Sequence, residues 1–137
     1  MQGYNVIVVI DPTGEKLLFC KRGHEPYLGL FNLVGGKIEP GEDGLAAAYR
    51  ELEEETSITR KDILLTHLLD FVYHLDGCTV EVYVGKLFHP VEVSGEENEL
   101  LWQDFERDFF NMSLYAGEGN MGHIIEHVKM ARKKLGL

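Results

Sequence analysis

Cysteine is scarce in this 137-residue chain: Cys20 and Cys78 are the only two. They are too few and too scattered for a disulfide framework or a zinc site, so a reduced, cytoplasmic setting is the expectation. Long apolar runs are missing too. Nothing approaches the ~18 residues of a membrane span, and Met1-Gln2-Gly3-Tyr4-Asn5 lacks the basic start of a signal peptide. Cations are outnumbered: 13 Lys and Arg face 23 Asp and Glu, a net charge of −10. That argues against membrane-surface or stable nucleic-acid binding, which needs a basic face. A small polyanion remains open, because a metal-loaded acidic site attracts phosphates. The six His show no His-x-x-x-His or Cys/His spacing, so structural or surface roles are expected for them. Repeats, low-complexity segments and internal linkers are absent. The length and the 45% hydrophobic content suit one domain spanning 1–137. Oligomeric state is not encoded legibly, and a homodimer stays open.

What the chain does have is a glycine-rich stretch feeding an acidic helix. Gly35-Gly36-Lys37-Ile38-Glu39-Pro40-Gly41-Glu42-Asp43 reads as a turn, with Asp43 as N-cap. From Gly44 to Thr56 nothing breaks a helix, and Ala46, Ala47 and Ala48 favour one. At about 100° per residue, Leu45, Ala48, Tyr49, Leu52 and Thr56 share an apolar face. Glu51, Glu54 and Glu55 fall within an arc of roughly 100° beside it, while Glu53 points elsewhere. Carboxylates this close repel by several tenths of a kcal/mol per pair. A solvated acidic face accounts for them. So does a divalent-cation site, whose charge reverses the repulsion and whose oxygen-only ligands suit Mg²⁺ or Mn²⁺.

The acids do not stand alone. Gly36, five residues, Glu42, seven residues, then Arg50-Glu51-Leu52, Glu54-Glu55 and Ser57-Ile58 resembles the Nudix box of the MutT-like Nudix hydrolases. One position departs: Ser57 stands where the family has Gly. Gly there supplies a left-handed C-cap, so with Ser the helix ends differently or bears strain on the order of 1 kcal/mol.

The resemblance implies the Nudix fold, an α/β/α sandwich with a mixed β-sheet between helices. It implies hydrolysis of a pyrophosphate bond in a nucleoside diphosphate linked to another group. Glu51, Glu54 and Glu55 match the family's metal and base positions, and the Gly35 carbonyl is a further metal ligand. An acid shortly before Trp102 completes such a site; Glu96 fits best, with Glu97 and Glu99 as substitutes. Arg50 orients a carboxylate, and Glu42 ties the loop to Arg50 or shares a second metal. Phosphate contacts fall to Arg22, Lys37 and the close approach at Gly36. Asn32-x-x-Gly35-Gly36-Lys37 resembles the oxidised-purine triphosphatases of the family, in which that Asn contacts the purine. Relatives also read the base just before the last helix, which singles out Glu118 and Asn120. For Asn120 an N-cap role is equally open.

The remaining chain suits that fold. Tyr4–Ile10 reads as a strand, Asp11-Pro12-Thr13-Gly14 as a turn and Lys16–Arg22 as the returning strand of a hairpin. Leu30–Val34 is a short strand. Leu64–Leu75 and Thr79–Phe88 flank an Asp76-Gly77 hairpin signal, and Met121–Leu135 is a second amphipathic helix. The favoured substrate is a nucleoside triphosphate, first an oxidised purine dNTP such as 8-oxo-dGTP. ADP-ribose is the weaker alternative, since its enzymes often carry a Pro where this chain has Val72-Tyr73-His74-Leu75. Tyr73 leaves dinucleoside polyphosphates open. A catalytically silent, nucleotide-sensing domain is disfavoured because every acid of the box is kept.

Overall fold

The computed structural model describes residues 1–95 and 97–137. Its central strand is β1 (Gln2–Ile10). The β-branched run there alternates faces: Ile7 and Val9 enter one core, Val8 and Ile10 the other, all fully buried. β1 pairs in parallel with β6 (Cys78–Lys86) from Gln2 to Ile10, and β5 (Thr66–Tyr73) flanks β6 antiparallel. β4 (Val34–Lys37) pairs antiparallel with Tyr4 to Ile7. β2 (Lys16–Lys21) reaches β1 only at the register pair Ile10–Leu17, so the expected hairpin is a brief contact. β7 (Glu99–Asp104) runs antiparallel along the whole of β2, and β3 (Phe31–Asn32) adds at Cys20 and Lys21. Among the described residues these seven strands form one mixed sheet.

A helix covers each face. α1 (Gly44–Thr56) buries Ala48, Tyr49 and Leu52 against Ile7, Val9, Leu18 and Tyr83. α2 (Asn120–Leu135) buries Met121, Ile124, Ile125 and Val128 against Val8, Ile10, Phe19 and Val82. Each fully buried Leu or Ile contributes about 2 kcal/mol. The α/β/α sandwich expected from the sequence is therefore present. Within α1, Leu45 is 36% exposed and Ala47 is fully buried, a small rotation of the expected apolar face. No helix among the described residues is long and apolar enough to cross a membrane.

Gly35 and Gly36, expected in a turn, lie inside β4, opposite Val6 and Asn5. A Cβ on Gly35 would sit 2.1 Å from the Asn5 carbonyl oxygen, which is why this strand tolerates no side chain there. The turn comes later, where the Glu42 N–H donates to the Glu39 carbonyl at 3.0 Å. At the other end of α1, Ser57 does adopt the left-handed conformation, with φ 70° and ψ 5°. Its N–H donates to the Glu53 carbonyl at 2.9 Å, and its exposed hydroxyl meets that of Ser94 at 3.0 Å. Ser57→Gly is expected to add about 0.5–1 kcal/mol of stability with activity unchanged. Thermal melts and turnover assays check this; a clear loss of activity would give the Ser57 hydroxyl a function.

Candidate active site

Asp43 opens α1 as its N-cap, accepting from the Ala46 N–H at 3.1 Å. Two turns on, Arg50 folds back over the preceding loop. Its Nε and Nη2 donate to the two carboxylate oxygens of Glu42, both at 2.8 Å. Nη2 also reaches the Lys37 carbonyl at 3.1 Å, and Nη1 reaches Glu51 at 3.0 Å and Glu54 at 3.4 Å. A planar five-donor guanidinium suits this task. Arg50 ties the turn to the helix and holds two of its carboxylates. Its hydrogen bonds hold the Glu42 carboxyl down at about 2.

Glu51 and Glu55 are pressed against β4. The Glu51 carboxylate lies so close to the Gly36 Cα that a Cβ there would come within 2.5–2.6 Å of it. Glu55 accepts the Gly35 N–H at 2.7 Å. Burial pushes the Glu55 carboxyl up to about 7; the Gly35 N–H opposes this, while Glu51 and Glu97 add to it. Burial also raises Glu51, against the pull of Arg50. Glu54 keeps 58% of its side chain exposed. All three line a cavity of about 190 Å³ together with Glu97, Asn98 and Cys20. Burial pushes the Cys20 thiol up to about 11, so it stays protonated.

Among the described residues no three acidic, His or Cys side chains converge into a finished metal shell. Arg50 holds Glu51 and Glu54, and the Gly35 N–H holds Glu55. The chemistry of the donors nonetheless fits a divalent cation. They are hard oxygens on one cavity wall, backed by a glycine that leaves room for them. Glu96 lies outside the described residues. Of its two substitutes, Glu97 lines the cavity, while Glu99 is exposed in β7 opposite Lys21.

A second cavity, about 470 Å³, opens on the α2 side of the sheet. It brings together Asn32, Glu118 and Asn120, which the sequence singled out from distant segments. The Asn32 side-chain oxygen accepts the Leu33 N–H at 2.8 Å. The Asn120 amide nitrogen donates to the Tyr73 hydroxyl. Gly119, left-handed at φ 91°, is the N-cap of α2, so Asn120 is not. The Tyr27 hydroxyl donates to both Glu118 oxygens, at 2.8 and 3.0 Å. Tyr27 carries no local signal in the sequence, and Glu118 is 91 positions away. Tyr4 and Phe71 add aromatic walls. Arg22 is committed to its own loop, its Nε donating to the Pro26 carbonyl at 2.6 Å. The Lys37 side chain is exposed, and the residue's carbonyl serves Arg50.

A fold with an acidic helix against a glycine strand, and a separate aromatic cavity across the sheet, matches a known family. The NUDIX domain model matches residues 1–116. The chain belongs to this family of pyrophosphohydrolases, whose members generally use divalent metal ions. A CTP pyrophosphohydrolase of Escherichia coli K12 is 28% identical over 101 residues, 71% of this chain and 72% of that protein. An ADP-ribose pyrophosphatase of Methanocaldococcus jannaschii is 43% identical over 47 residues, 34% of this chain and only 28% of the archaeal protein. The crystal structure of a Caenorhabditis elegans Ap4A hydrolase matches the fold with a TM-score of 0.77 at 23% identity, covering 100% of both chains.

Proposed function

We propose that this chain hydrolyses a nucleoside triphosphate to the monophosphate and pyrophosphate with Mg²⁺ or Mn²⁺. The base would present a guanine-type edge, and an oxidised purine dNTP such as 8-oxo-dGTP is the first candidate. The hydrogen-bond polarity of the second cavity carries the choice of a guanine-type edge; the oxidised purine rests on the likeness of Asn32-x-x-Gly35-Gly36-Lys37 to the oxidised-purine triphosphatases. With its oxygen engaged by Leu33, Asn32 has its amide nitrogen left to donate. With its nitrogen engaged by Tyr73, Asn120 has its oxygen left to accept, and the Glu118 carboxylate also accepts. One donor and two acceptors complement the guanine edge: a carbonyl acceptor beside ring and amino N–H donors. Cytosine and uracil each present two acceptors and one donor, and adenine presents one of each.

On the other side of the sheet, a cation held by Glu51, Glu54 and Glu55 would neutralise phosphate charge and acidify the attacking water. Arg50 keeps Glu51 and Glu54 turned toward the cavity, and the Gly35 N–H fixes Glu55. A carboxylate of this group takes the proton of the water. The water oxygen bonds to phosphorus, and the phosphoanhydride bond to the leaving group breaks. Lys37, exposed at the end of β4, supplies a mobile charge for the phosphate chain.

A hydrolysis screen over (d)NTPs, oxidised dNTPs, ADP-ribose and diadenosine polyphosphates, with Mg²⁺ and with Mn²⁺, tests the reading; coupled pyrophosphatase reads the triphosphates and coupled alkaline phosphatase reads the monophosphate products of the others. Guanine-type triphosphates are expected to lead. A lead for CTP or Ap4A would overturn the base assignment, and turnover of none would overturn the hydrolytic one. Glu118→Ala is expected to raise KM for the best substrate about 10–100-fold with a smaller change in kcat, since it removes a charged hydrogen-bond acceptor worth roughly 1.5–3 kcal/mol.

A further inference from the structure

We propose that Asn5 is a positioning residue for the acidic cavity, its side-chain amide locking the Gly35–Gly36 peptide against which Glu51 and Glu55 are seated. The inference rests on reading that cavity as the metal site. Asn5 directly precedes the apolar run Val6–Ile10 of β1 and is only 1% exposed. It shares its face of β1 with Ile7 and Val9, the face covered by α1. Its Oδ1 accepts the Gly36 N–H at 3.0 Å, directly across the β1–β4 register.

That bond fixes more than one amide. The peptide unit is planar and trans, so anchoring the Gly36 N–H also fixes the direction of the Gly35 carbonyl. The preceding amide, the Gly35 N–H one Cα away, holds Glu55 at 2.7 Å. The Gly36 Cα is the surface on which the Glu51 carboxylate rests. Asn5 therefore stands behind two acids at once without lining their cavity. The arrangement has a cost: the Asn5 Nδ2 is buried with no hydrogen-bond partner among the described residues. A Leu or Val would fill this place among Ile7 and Val9 without that unmade bond. Among the described residues the one bond of this side-chain amide goes to a glycine N–H behind the site, which is what a positioning role requires.

Asn5→Leu removes the acceptor and also the orphaned donor. It is expected to melt within a few degrees of wild type, to bind Mn²⁺ at least tenfold more weakly by calorimetry, and to lose kcat with little change in KM. Hydrogen exchange at the Gly36 amide should accelerate at least tenfold while the Val8 amide is unaffected. Asn5→Asp keeps the acceptor and should hold Mn²⁺ within about threefold of wild type. If Asn5→Leu binds Mn²⁺ within twofold of wild type, or its Gly36 exchange is unchanged, the inference is overturned. A wild-type protein that binds no Mn²⁺ would overturn the metal reading, and this inference with it.

Discussion

Glu55→Gln is expected to lower kcat/KM about 10²–10⁴-fold and to leave the metal-free protein no less stable than wild type. Gln has the shape of Glu and keeps an oxygen for the Gly35 N–H, which Glu55 accepts at 2.7 Å. What it loses is a charge beside Glu51, Glu54 and Glu97 in one small cavity. Each like-charge pair on the helix costs several tenths of a kcal/mol, so relieving them offsets any loss of contact. The same charge is what a hard cation requires. Mn²⁺ should therefore raise the melting temperature of wild type, as a ligand binding only the folded state does, and fail to raise that of the variant. Steady-state kinetics and melts with and without MnCl₂ separate the two effects. Glu53→Gln, an exposed neighbour on another face of α1, should change neither. Turnover by Glu55→Gln within tenfold of wild type would sink the assignment of this carboxylate.

Local rules carried much of the fold. The β-branched run of Tyr4–Ile10 announced a strand, and the structure sends Ile7 and Val9 into one core and Val8 and Ile10 into the other. Asp43 and the unbroken run to Thr56 placed α1 to the residue. The spacing of Glu51, Glu54 and Glu55 put these side chains on one helical arc, and they line one cavity, with the Arg50 guanidinium bonded to Glu51 beside it. What escaped the sequence depends on long-range pairing. Gly35-Gly36 looks like a turn because glycines make turns, yet β1 recruits them as a strand from 29 or more positions away. The β1–β2 hairpin shrinks for the same reason, since β4 pairs with β1 from Tyr4 to Ile7. Arg22 ends its strand near the site, but the Pro26 carbonyl claims its Nε. Tyr27 has no neighbour in sequence to betray its bond to Glu118. Asn5 did carry a signal: a polar residue at an inward position of a β-branched run needs a partner, and Gly36 is that partner.

The second large effect is expected at Gly36, and its mechanism differs from that at its neighbour. A Cβ on Gly36 would lie 2.5–2.6 Å from the carboxyl atoms of Glu51, whereas ordinary contact begins near 3.4 Å. The colliding atoms are the far end of a side chain, so Gly36→Ala displaces the carboxylate by about 1 Å and leaves the backbone in place. On Gly35 the Cβ would meet the backbone of Asn5 at 2.1 Å, with φ at +154°. Nothing flexible stands there to yield, and β1 and β4 would have to part. Gly36→Ala is therefore expected to melt within a few degrees of wild type and to lose about 10²-fold in kcat/KM, the usual consequence of misplacing a reacting group by an ångström. Gly35→Ala is expected to lose several kcal/mol of stability, read as a large drop in melting temperature or as insoluble protein. The contrast is the test. If Gly36→Ala turns over within threefold of wild type, the seat against β4 does not govern what Glu51 does. If instead it falls in stability as far as Gly35→Ala, the glycine serves the sheet and not the carboxylate.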